Sequence, residues 1–199
     1  DRARDQYRNV PWVRRAGRSF VANVVGTGIF PIPQTPDDAF NAVLTELWNE
    51  WVEESDADGL LDFYGQQALA VRAMRTAGEV LVRILYRPTD RYDLPLPFQL
   101  QVIEADHLDH LHTVPALPGG GRIVQGVEFA ADGRRAAYHL WREHPQDMPI
   151  GLGQAERVRV PAGEILHLFE PERPGQVRGY PGMASTILRM LDMHEYEDA

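Results

Sequence analysis

No cysteine occurs in the sequence. Its absence excludes disulfides, a thiol nucleophile and cysteine-rich zinc sites together, and is compatible with a reducing compartment. Lysine is missing as well: all 20 basic residues are arginine, a usage expected of a GC-rich coding genome. The chain therefore holds neither a Walker-type phosphate lysine nor a Schiff-base lysine. Serine is confined to Ser19, Ser55 and Ser185, none inside a nucleophile-elbow pattern. No apolar run approaches the roughly 18 residues that a bilayer span requires. No basic segment followed by an apolar stretch marks a secretory signal.

What is present describes a globular chain. Apolar residues make up 44% and charged residues 25% of 199 positions, enough for one domain or two small ones with a real core. The net charge of −9 argues against a protein that clasps nucleic acid by its phosphates, because such proteins replace condensed counterions with cations. The chain opens on Asp1 rather than Met and closes on Glu195 to Ala199 within a helical pattern, so a piece of a longer protein is expected.

Helices are expected first and strands after them. Pro11 breaks a helical stretch from Arg2 to Val25. Within it Trp12, Ala16, Phe20 and Val24 form an apolar stripe at helical spacing. Gly26-Thr27-Gly28 ends the helix, and Pro31 to Pro36 is a stiff connector. Thr35 is expected to cap the next helix, with Pro36 in its first turn and Asp37-Asp38 at its positive dipole end. Phe40, Val43, Leu44, Leu47, Trp48, Trp51 and Val52 supply its apolar face. Another helix runs from about Asp62 to Ala77 and stops at Gly78.

Strands are expected at Glu79 to Arg87, Phe98 to Ala105, Ile123 to Phe129, Arg135 to Trp141, Val158 to Val160 and Glu164 to Phe169. Asp132-Gly133 makes a hairpin turn, and Arg173 to Gly179 is a loop. A closing helix starts near Gly182 or Ala184 and carries Ile187, Leu188, Leu191 and Tyr196. The fold class is therefore α+β: a mainly helical part over 1–78, a mostly antiparallel β part over 79–170, and the start of a longer helix over 182–199.

Few constellations suggest chemistry. Glu104, Asp106, His107, Asp109, His110 and His112 form the densest set of metal-ligand types. A metal-dependent hydrolase using His107, His110 and His112 is the enzyme alternative, although no single helix or strand presents all three. Asp56-x-Asp58-Gly59-x-x-Asp62 fails calcium-loop spacing and reads better as a turn with a helix cap at Asp62. The glycine clusters 26–28 and 119–121 lack the strand-then-helix context of a phosphate loop. Glu53-Glu54 and Glu197-Asp198 suit solvated helix faces. Arg14, Arg15 and Arg18 suit a surface helix facing acids on a neighbour. The residues themselves assemble no catalytic set and call for no cofactor or metal.

Several segments nevertheless resemble, in order and spacing, the lambda-type family of tailed-phage portal proteins. They are Arg8 to Pro11 with Val21 to Ile29; Trp48-x-x-Trp51 with Asp58-Gly59 and Asp62-Phe63; Gly78 to Arg83 with Gln99 to Asp106; Gly126 to Phe129 with Gly133-Arg134, Ala137 to Leu140 and His144-Pro145; and Arg157 to Ala162, Ile165 to His167, Arg173 to Gly179 and Tyr196 to Ala199.

The resemblance implies a structural subunit rather than an enzyme. Such proteins form a dodecameric ring at one capsid vertex, dock the terminase motor, pass double-stranded DNA and bind head-completion or connector proteins. Capsid and scaffold proteins are further implied partners; a membrane is not. The implied location is the virion, with assembly in the host cytoplasm or encoding by a prophage. The whole chain, 1–199, would belong to the N-terminal wing of the subunit. Arg14, Arg15 and Arg18 are the expected subunit-interface residues, and the acidity would lower friction on a passing phosphate backbone.

Overall fold

Pro11 sets the geometry of the helical part. Its missing N–H is harmless at the first position of a helix, so α1 (Arg2–Asn9) ends before it and α2 (Pro11–Val25) begins on it. The structure, a computed structural model, describes residues 2–145, 147, 156–186, 189, 190, 193 and 196. The tyrosine ring of Tyr7 on α1 lies where a side chain at position 17 would stand: a Cβ added to Gly17 would meet it at 2.3 Å. That close approach turns α2 so that Val13, Gly17, Val21 and Val25 form its packed stripe, with all three valines buried. The expected stripe is thus displaced by one residue: Phe20 is 41% and Val24 47% exposed.

Helix α3 (Asp38–Glu54) is capped by Asp37, not by Thr35. The Asp37 carboxylate accepts from the N–H groups of Ala39 at 2.9 Å and Phe40 at 3.1 Å. Thr35 is instead tied to Asn41, whose side-chain amide donates to the Thr35 carbonyl at 3.0 Å. Helix α4 (Phe63–Ala77) is capped by Asp62, which accepts from Gly65 N–H at 2.6 Å, and ends on Gly78 in the left-handed region. Trp48, Trp51 and Phe63 join α3 to α4, with ring centroids 5.2–5.3 Å apart. Trp51 also stacks on Phe98 and donates its indole N–H to the Phe98 carbonyl at 2.9 Å.

Among the described residues the β part forms two antiparallel sheets. One has the order β2 (Phe98–Glu104), β1 (Glu79–Tyr86), β7 (Ile165–Phe169). The other has the order β3 (Arg122–Val124), β4 (Val127–Phe129), β5 (Arg135–Trp141), β6 (Arg157–Pro161). A short helix, α5 (Thr89–Tyr92), lies between β1 and β2 and was not expected. The single strand expected from Ile123 to Phe129 is two strands. Gln125 and Gly126 both take positive φ, 50° and 83°, which suits a two-residue hairpin turn, and Val124 pairs with Val127. Glu164 lies in the 3-10 turn that carries the chain from β6 to β7.

The sheets face one another across one core. Leu81 and Ile165 from the first sheet meet Val127, Tyr138, Leu140 and Val160 from the second, with Leu108 between. On the alternate positions of β1, Val80 and Val82 are also buried, and α4 packs against that strand. A strand buried on both faces explains the continuous apolar start of β1. The α+β class is therefore realised as helices on a two-sheet β body. Of the closing helix, residues 189, 190, 193 and 196 are helical and Tyr196 is exposed; Ile187, Leu188 and Leu191 lie outside the described residues. Met183, just ahead of that segment, is buried against Ala3, Val10 and Val13.

Candidate functional site

The histidines of the 104–112 segment do not converge. His107 donates from Nδ1 to the Trp141 carbonyl at 3.0 Å, since a carbonyl can only accept. His112 sets its ring edge-on against His139, centroids 4.8 Å apart; burial, with Arg157 and His139 adding, pushes its pKa down. His110 is exposed. Among the described residues, the one group whose ligand atoms lie within 4.8 Å of each other is Glu104, Asp106 and His144. The Arg4 guanidinium already sits on the Asp106 carboxylate there. Burial alone would raise the Asp106 pKa; the hydrogen bond and charge of Arg4 outweigh it and lower it. Arg4 thus already engages one carboxylate of this group, and among the described residues His107, His110 and His112 form no shared site, so the hydrolase alternative gains no support. Asp56, first of the calcium-like set, spends its carboxylate on the N–H groups of Asp58, Leu60 and Leu61 at 3.0–3.2 Å.

The most developed polar constellation is one the sequence did not single out. Glu79 opens β1 with its side chain 4% exposed, facing His167 of β7, whose side chain is 3% exposed. Glu79 Oε2 accepts from His167 Nε2 at 2.8 Å and from Gly179 N–H at 2.8 Å. Glu79 Oε1 accepts from Arg178 Nε at 2.6 Å. On the other side of the imidazole, Arg135 donates to His167 Nδ1 at 2.7 Å. Arginine has no acceptor, so Nδ1 carries the lone pair and Nε2 the proton, which fixes His167 as a neutral tautomer. Burial lowers the His167 pKa, with the charges of Arg135 and Arg178 adding to it. Burial would raise Glu79, but the hydrogen bonds from His167 and Arg178, the Arg178 charge and the Gly179 amide together hold it at about 2.

A carboxylate beside an imidazole invites comparison with a catalytic pair. Here both ring nitrogens are occupied, so His167 has no lone pair to take a proton from a nucleophile. The network instead fastens the loop Arg173–Gly179 to the sheets. Arg178 reaches the carbonyls of Ala105 and Gln125 at 3.3 Å, and Arg135 reaches the Val177 carbonyl at 3.2 Å. Buried Gln176 folds the loop on itself, accepting from Glu172 N–H at 2.8 Å and donating to the Arg178 carbonyl at 2.8 Å. Gly78 and Gly179 pass backbone against backbone: a Cβ on Gly179 would lie 2.1 Å from the Gly78 oxygen. A smaller network ties the second sheet. Glu128 accepts from Arg159 at 2.7 and 2.8 Å and from His139 at 2.9 Å, and the Arg159 hydrogen bonds chiefly hold its carboxyl down at about 2.

The surface carries the remaining signals. Arg14, Arg15 and Arg18 are exposed on α2, and among the described residues none forms an ion pair. A groove of about 700 Å³ runs between the connector and α3, lined by Phe30, Ile32, Leu44, Leu47, Trp48 and Tyr64. Phe40 and Val43 beside it are more than half exposed. Interior polar groups are thus spent on fastening the fold, while charge and apolar surface lie outside.

The chain is similar to known proteins. The sequence model of the family described as phage portal protein, lambda family, matches residues 1–199. A curated relative, named a probable portal protein, from Halomonas phage phiHAP-1, is 33% identical over 207 residues, which take in 99% of this chain and 38% of the relative. The chain belongs to the lambda family of phage portal proteins, a structural family. It spans well under half the length of that relative.

Proposed function

We propose that this chain is the N-terminal wing region of a portal subunit, and that the full-length protein forms a ring-shaped conduit, a dodecamer, at one vertex of a phage head. Terminase drives the genome inward through it, head-completion and connector proteins later bind it, and the genome leaves by the same route. Capsid and scaffold proteins hold the ring during assembly in the host cytoplasm, and a prophage is one source of the gene. The observation that carries this reading is the family match over every residue.

The physical chemistry supports it. A motor-driven conduit needs no catalytic residue of its own, and the carboxylate–imidazole pair at Glu79 and His167 has both ring nitrogens engaged. A net charge of −9 suits a wall past which phosphates must slide, because negative potential discourages sticking. Arg14, Arg15 and Arg18 are the proposed contact with an adjacent subunit. Deleting the gene from an otherwise functional phage should give heads empty of DNA, with packaging restored by the full-length protein supplied in trans. Normally filled heads from the deletion strain would contradict the reading.

A further inference from the structure

Helices α2 and α3 carry opposite charge, and each carries part of it where its own dipole disfavours it. Helix α2 has three cations, Arg14, Arg15 and Arg18, no acid, and places Arg14 and Arg15 near its positive N-terminus. Helix α3 has five acids and no base, with Glu50, Glu53 and Glu54 close to its negative C-terminus. Both charge sets are exposed. Among the described residues none of these arginines and none of Glu46, Glu50 and Glu53 has an ion-pair partner within the chain. Local helix stability does not explain them.

Their arrangement is regular. Val43, Glu46, Glu50 and Glu53 recur at helical spacing on the face of α3 opposite buried Trp51 and Val52, with Ala39 and Ala42 leaving room around the carboxylates. Arg14 and Arg18 stand one turn apart on α2, with Arg15 beside them. At about 1.5 Å of rise per residue the two sets extend over about 6 and 10 Å, a match that flexible arginines can take up. Both helices pack on α4, so each offers its charged face away from the fold.

We infer that the α2 face bearing Arg14, Arg15 and Arg18 docks on the α3 face bearing Glu46, Glu50 and Glu53 of a second copy of this chain. The contact is heterologous, one patch on a different patch, which propagates around a ring when the rotation closes. This rests on the ring reading above and supplies the acidic partner surface that it lacks.

Three variants of the full-length protein test it by mass photometry: R14E/R15E/R18E, E46R/E50R/E53R, and the six changes combined. Each reversal set alone should cut the assembled fraction at least about tenfold, and the combined set should restore it, because complementary charge is re-created across the contact. Each single set should keep the wild-type helix content by circular dichroism, so that lost assembly reports the contact rather than the fold. Wild-type assembly by either single set overturns the inference, as does failure of the combined set to recover while it remains folded by circular dichroism. Normal assembly with weakened DNA retention in the arginine set would assign that face to nucleic acid and overturn it too. A wild-type protein that never assembles overturns the ring reading with it, whereas rings indifferent to both sets overturn this contact alone.

Discussion

Arg178 and Glu79 stand 99 residues apart in the chain and share a buried ion pair, the guanidinium donating to a carboxylate whose side chain is 4% exposed. The pair closes the loop after β7 onto the first residue of β1. His167 and Arg135 complete it, so β1, β5, β7 and the loop are joined through four side chains.

Removing one member of such a group leaves a charge buried and uncompensated. Glu79→Gln should therefore destabilise the protein by about 3 kcal/mol or more, read as a lower urea midpoint. A change under about 0.5 kcal/mol, the size expected of surface substitutions, would show that Glu79 is not the anchor.

The same network sets a pH dependence. His167 has its pKa lowered in the fold, so the unfolded chain takes up its proton first as pH falls below the ordinary histidine range. Stability should then decline on acidification from pH 7 to 5. Glu79, held at about 2 against an ordinary 4.5, contributes above 4.5 and loses its contribution between 4.5 and about 2. The variant His167→Gln, which keeps a donor and an acceptor, should flatten the loss between pH 7 and 5. An unchanged slope in thermal melts across that range would place the sensitivity elsewhere, His112 being the next candidate because its pKa is lowered too.

Gly78 is required twice over. Its φ is +93°, and an added Cβ would stand 2.3 Å from the Tyr180 carbonyl carbon. Gly78→Ala should cost at least about 2 kcal/mol. Gly133→Ala, at φ +84° but in open space, isolates the conformational part and should cost about half as much. Equal losses in chemical denaturation would mean that the backbone contact contributes nothing.

Trp51→Phe keeps an aromatic ring beside Phe63 and Phe98 but removes the N–H donated to the Phe98 carbonyl and part of the buried ring volume. Its expected cost is about 1–3 kcal/mol, against about 3–5 kcal/mol for Trp51→Ala. Urea unfolding of both variants checks the ratio.

Much of this fold was legible in the residues. Pro11, Asp62, Gly78 and Asp132-Gly133 act through local geometry, and the chain breaks or turns at each of them. Where tertiary contact decides, local reading slipped. The stripe on α2 moved by one residue because Tyr7 approaches Gly17, and nothing within α2 announces Tyr7. Thr35 lost the cap to Asp37 because Asn41 engages it first. The Glu79 network joins segments nearly 100 residues apart, which periodicity cannot pair. Its trace in sequence was a carboxylate in register with inward-facing Leu81, and a histidine inside the apolar run from Ile165 to Phe169. The histidines near 107 are dense in sequence, but density does not bring imidazoles together when a 3-10 turn, a second turn and a loop send them to Trp141, solvent and His139.

Negative-stain electron microscopy of the full-length protein tests most directly whether it is a ring-forming portal subunit. Hollow rings of about a dozen copies, closed by one repeated heterologous contact, are the predicted result. Compact monomers or dimers at every salt concentration would contradict it.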